Sequence, residues 1–171
     1  MPGASVGNVF GSIQVVSSGD VVAKFDLYSD VAGTAPDISE RRGRGTSVAP
    51  LDVVASDDLG GYAFYGYLGG AFVQAAAINV IAGTPAAGQI PTTIELATNN
   101  GTAVGVRATL TPVGNFGFGT ATFGTGAVSV LAVANGTIPS TSPADEFQMY
   151  SADVVAGNAA PTFRTENGTL I

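Results

Sequence analysis

Acid–base or nucleophilic chemistry in this chain would have to come from carboxylates and tyrosines, because its 171 residues include no His and no Cys. That absence excludes a His-dependent triad, a thiol nucleophile and a zinc finger. It also excludes disulfides, so cysteine usage gives no guide to compartment. Asp52, Asp57, Asp58 and Glu95 could serve as general acids or bases. Glycoside hydrolysis needs two carboxylates facing across a sugar, about 5–10 Å apart, and no spacing here singles out a pair. Asp57-Asp58 lacks the spaced acidic loop that holds Ca²⁺. The glycines from Gly114 to Gly119 lead into neither a helix nor a Lys, as a phosphate loop would. The expectation is a non-enzymatic protein with no cofactor and no catalytic or metal-binding residues.

Binding chemistry is better represented. Arg41, Arg42 and Arg44 make up half of the six Lys and Arg residues and are separated only by Gly43. Guanidinium forks of this density suit a sulfated or carboxylated glycan. Equally, they suit pairing with Asp37, Glu40, Asp57 or Asp58, within a subunit or across an interface, and in so acidic a chain the second use is favoured. The second cluster is Tyr62-Ala63-Phe64-Tyr65-Gly66-Tyr67. Strand alternation places Tyr62 and Phe64 on one face and Ala63, Tyr65 and Tyr67 on the other. Tyrosine offers a sugar an apolar ring and a polar tip, which makes Tyr62, Tyr65 and Tyr67 the candidate glycan contacts. The alternative is that one face is core and the other a subunit contact. Asn-Gly-Thr occurs at Asn100, Asn135 and Asn167. It matches the N-glycosylation acceptor pattern, but Asn-Gly is also a strong hairpin signal, and turns are expected at all three.

The elements that must position these residues read as strands. Ala23, Phe25 and Leu27 alternate with polar neighbours, as do Val104, Val106, Ala108 and Leu110. Ile94 and Leu96 flank Glu95, and Val128 and Val130 flank Ser129. This period of two marks half-buried β-strands. Phe72 to Ile81 fits a short helix or a buried strand equally well. The class is all-β, built of short strands and turns.

Two segments repeat in order. Tyr28-Ser29-Asp30 with Gly33-Thr34-Ala35-Pro36 is echoed by Tyr150-Ser151-Ala152-Asp153 with Gly157-Asn158-Ala159-Ala160-Pro161. Val6-Gly7-Asn8 with Phe10-Gly11 is echoed by Val113-Gly114-Asn115 with Phe118-Gly119. The organisation expected from this is an attachment segment over residues 1–19, a β-module over 20–112, and the start of a second module over 113–171.

Composition adds a statement about assembly. Only 11% of residues are charged, against roughly 25% in ordinary soluble domains. A small monomer cannot keep its surface wet with so few charges, which points to an obligate oligomer. The longest apolar run, Ala75 to Ala82, is interrupted by Asn79 and too short for a membrane helix. Thirteen Asp and Glu against six Lys and Arg, a net charge of −7, disfavour nucleic acid as a partner. The opening Met1-Pro2-Gly3-Ala4-Ser5 has no basic stretch of the kind that begins a secretory signal.

Taken in order, the motifs resemble the repeat region of bacteriophage tail-fibre and tail-spike proteins. The resemblance runs from Arg42-Gly43-Arg44-Gly45-Thr46 and Pro50 through Asp58-Leu59-Gly60, Phe64 and Gly66-Tyr67. It continues with Ala75-Ala76-Ala77-Ile78, Gly83-Thr84-Pro85, Pro91 and Ile94-Glu95-Leu96-Ala97-Thr98. Gly114-Asn115-Phe116-Gly117-Phe118-Gly119-Thr120 matches a further element, and Met149 to Asp153, Gly157 to Pro161 and Phe163 to Gly168 match the closing one. The resemblance implies an elongated, intertwined homotrimer of the β-prism or β-helix type. It would be located in the phage particle, made in the host cytoplasm, and in contact with other virion proteins and a host-surface glycan. In such a trimer Arg42, Arg44 and Asp58 are expected to form inter-chain or turn-fixing pairs. A short tail fibre or spike is the leading expectation, a trimeric capsid decoration or cement protein the alternative, and a polysaccharide-degrading spike a third.

Overall fold

Every regular element in residues 38–171, the part that the computed structural model describes, is a β-strand. By their contacts the residues fall into two units, Met1–Asp52 and Val53–Ile171. In the first unit, β1 (Arg44–Thr46) and β2 (Ala49–Leu51) form an antiparallel hairpin. The Thr46 hydroxyl closes its turn by accepting from the Ala49 amide at 3.1 Å. Gly45 has a positive φ of 77°, and a Cβ there would run into the Ala49 carbonyl.

The second unit is dominated by a six-stranded sheet in strict sequence order. Its strands are β3 (Asp58–Leu68), β4 (Ala71–Ala82), β5 (Thr92–Asn99), β6 (Val104–Leu110), β7 (Phe116–Phe118) and β8 (Leu131–Val133). Neighbours are antiparallel up to β7, and β8 runs parallel to β7. A separate hairpin follows, made of β9 (Gln148–Val155) and β10 (Asn158–Arg164). The expected module boundary near residue 113 falls between β6 and β7, which pair directly.

Residues opposite one another in a sheet share a face, so the register assigns the faces of this one. One row across all six strands reads Tyr62, Ile78, Leu96, Ala108, Phe118, Val133. Two residues along, a second row reads Gly60, Val80, Ile94, Leu110, Phe116, Leu131. Apart from the Tyr62 hydroxyl, both rows are apolar. The row between them, on the opposite face, is Gly61, Asn79, Glu95, Thr109, Gly117, Ala132. The sheet therefore has an apolar side and a side of small and polar residues. The register slips twice in β3–β4, between Asp58 and Gly60 and between Phe64 and Tyr65, and once in β5–β6, between Leu96 and Ala97.

Several expectations meet the structure here. Val104–Leu110 is β6, Ile94 and Leu96 lie in β5, and the ambiguous Phe72–Ile81 segment is strand. Its run of three alanines yields to hydrogen bonding on both sides, to β3 and to β5. Val128–Val130 is not strand: Ser129 has a φ of 55°, which breaks the extended run, and the strand begins at Leu131. The Asn-Gly turns form at Asn100 and Asn167, with φ of 92° at Gly101 and 84° at Gly168. Asn135-Gly136 is not a turn. Asn135 makes a parallel bridge to Ser151 instead, and its Oδ1 accepts from the Ser151 hydroxyl at 2.8 Å. Of the repeat, the second copies are the β9–β10 hairpin and the turn into β7. The first copies, and the strand expected at Ala23–Tyr28, lie outside the described residues.

Apolar burial in these strands is slight. Among the described residues the buried apolar ones are Val53, Ala77, Ala82, Ala97, Ala108 and Tyr150, four of them alanines, and no large side chain is completely shielded.

Candidate functional site

The aromatic candidates lie on an arm. β3 and β4 pair from Asp58–Ile81 out to Leu68–Ala71, whereas β4 pairs with β5 only from Ala82 to Ala76. Residues 65–74 therefore extend past the third strand as a two-stranded hairpin, closed by Gly69 and Gly70 at φ of 61° and 89°. Positive φ at successive positions is what a tight hairpin requires, and glycine adopts it without a steric penalty. At the base of the arm the Asn99 side-chain amide donates to the Gln74 carbonyl at 3.0 Å.

Tyr65 stands opposite Gln74, and Tyr67 opposite Phe72. The rings of Tyr67 and Phe72 meet edge to face with centroids 5.3 Å apart, the favoured geometry for two π quadrupoles. Tyr65, Tyr67 and Phe72 are 57%, 68% and 73% exposed, leaving most of each ring open to a ligand. Tyr62 is separated from them: it is paired with Ile78 and belongs to the apolar face of the sheet. The structure thus assembles two of the three candidate tyrosines and adds Phe72. The sequence signal for Phe72 was the Gly69-Gly70 turn, about which Tyr67 and Phe72 are symmetrically placed.

The charged candidates are divided between the two units. Arg44 opens β1 with Arg42 just before it, while Asp58 opens β3. The neighbouring Asp57 is buried and fixes the turn before β3. Its Oδ2 accepts from the Val54 amide at 3.0 Å, and its backbone carbonyl accepts from the Ala82 amide at 2.8 Å.

Sequence reading passed over a second polar anchor, Asn115, which is buried to 3% exposure. Its side-chain amide donates to the Ala127 carbonyl at 2.9 Å, and its Oδ1 accepts from the Val130 amide at 2.9 Å. It thereby holds the loop after β7 so that β8 enters the sheet. The glycines around it are dictated by the same turn. Gly114 and Gly119 have positive φ, and a Cβ on Gly117 would strike the Thr120 carbonyl. This Gly-Asn-Phe-Gly-Phe-Gly-Thr element is a structural knot.

A shallow pocket of about 630 Å³ lies beside the last turn, lined by Thr165, Glu166, Asn167 and Thr169. It offers one carboxylate, where glycoside hydrolysis uses two. Among the described residues no group of three His, Cys, Asp or Glu side chains gathers as a metal site would require, and no helix is long and apolar enough to cross a membrane. No protein-family model matches the chain, and no curated protein matches it.

Proposed function

We propose that this chain is a non-enzymatic structural subunit of a phage particle, a short tail fibre or spike that works as a homotrimer and touches the host surface. The observation that carries the subunit reading is the mismatch between apolar content and burial. The chain is 46% hydrophobic, yet its described residues bury mainly alanine methyls and leave large side chains open. Burying a large aliphatic or aromatic side chain supplies about 1.5–3 kcal/mol, and on this reading that contribution comes from contact with further chains. The ordered motif series supports the virion reading. An exposed aromatic arm free of charge supports contact with a glycan, since stacking on sugars needs open rings held in a fixed geometry.

The test is a reconstruction of intact phage particles containing a tagged copy of the chain. Density for the tag at the tail is expected. A position on the capsid lattice would replace the fibre reading by that of a decoration protein, and absence from the particle would overturn the virion reading.

A further inference from the structure

The apolar face of the six-stranded sheet has a more definite use. We infer that it is the surface through which copies of this chain meet, with Leu96 near its centre, Ile78 beside it and Tyr62 at its margin. The inference rests on the reading of the chain as one subunit of a homo-oligomer and adds the contact surface to it.

Size is the first argument. Tyr62, Phe118 and Leu131 are 51%, 50% and 57% exposed, and Ile78, Ile94, Leu96 and Leu110 between them are 37–42% exposed. The two half-open rings alone leave on the order of 200 Å² uncovered. With five aliphatic side chains added, the patch reaches the upper end of the roughly 300–600 Å² found on monomers and approaches the ~800 Å² that each partner of a stable complex contributes.

Charge is the second argument, and it selects a second copy as the occupant. Copies of a chain with net charge −7 repel one another, so they close at least cost through a surface without carboxylates. The six strands contain two, Asp58 and Glu95, and both fall outside the apolar rows: Glu95 pairs with Asn79 and Asp58 with Ile81 on the opposite face. The one cation in these strands, Arg107, sits at the β5–β6 slip outside both rows, bonded through Nε to the Thr98 hydroxyl and through Nη2 to the Thr98 carbonyl, both at 3.3 Å.

Permanence is the third argument. Obligate interfaces between identical chains resemble a core cut in half, and these rows have the composition of a core face in a unit that has little other core. The cover is needed whenever the chain is folded, and another copy of the chain is always at hand. Tyr62 then belongs to the contact between copies, while Tyr65, Tyr67 and Phe72 remain on the arm.

Because the chain has no Cys, a single introduced thiol reports one position without ambiguity. Leu96→Cys and Glu95→Cys put it on opposite faces of β5. Each full-length variant is weighed by native mass spectrometry and treated with a short bis-maleimide. The expected result is an oligomer for both, with covalent dimers of the chain for Leu96→Cys and none for Glu95→Cys. Oligomers that cross-link at Glu95→Cys only, or at neither position, would overturn this interface and leave the homotrimer standing. A monomeric wild-type chain would overturn both, and protection of the Leu96→Cys thiol in that monomer would show that the chain covers the face with its own residues.

Discussion

Single residues with unusual burial carry the sharpest local consequences. Asn115 satisfies two backbone groups of one loop from a buried position. Asn115→Ala leaves the Val130 amide and the Ala127 carbonyl without those partners, at a cost of about 1–3 kcal/mol. A clear fall in melting temperature is expected, measured by calorimetry. Tyr150 is the converse case: it is buried in β9, and its hydroxyl has no hydrogen-bond partner. Removing an unsatisfied hydroxyl relieves a desolvation penalty, so Tyr150→Phe should melt at the same temperature as wild type or above it. A marked drop would show that the hydroxyl is satisfied in the assembled protein. Both residues sit in motifs visible in the sequence, but their burial was not legible there. Asn115 follows a glycine and reads as a turn residue, and only the return of residues 127–130 alongside β7 makes it internal.

At the scale of elements, alternation was a good guide along β5 and over the last three residues of β6, where Ile94, Leu96, Ala108 and Leu110 face one way and Glu95 and Thr109 the other. It did not hold along the whole of β6, because the slip beside Leu96 sets Val106 opposite Ala97 and Val104 opposite Asn99, on the face of Glu95. The guide failed at Val128–Val130, where a left-handed Ser129 overrides the pattern, and at Asn135-Gly136, where a contact distant in sequence replaces the turn. The tyrosine cluster was legible in composition but not in grouping, since the protruding hairpin joins Tyr65 and Tyr67 to Phe72 and separates them from Tyr62. A two-stranded arm is marginal by itself in water, and its aromatic pair adds about 0.5–1.5 kcal/mol. Tyr67→Ala is therefore expected to reduce binding to host-cell glycan while leaving the melting temperature of the whole chain nearly unchanged. A binding curve that overlays the wild type would remove the arm from adhesion.

For the whole molecule, scarce charge and abundant small residues first suggested only that some surface is covered. The sheet register now shows which surface is open: two rows that cross six strands without a charged side chain and with the Tyr62 hydroxyl as their one polar side-chain group. No sequence pattern could have aligned those rows, because they depend on register slips and on a parallel β8 returning beside β7. Ile78→Lys places a charge within one row, between Tyr62 and Leu96, and burying an unpaired charge is far more costly than burying a neutral polar group. Dissociation or loss of soluble protein is expected, read by sedimentation velocity. Glu95→Lys on the opposite face should sediment as wild type does. The most direct test of the account is the mass of the untreated full-length chain in native mass spectrometry. One species at three times the 17.0 kDa chain mass is expected. A single species at the mass of one chain, persisting as concentration is raised, would contradict it.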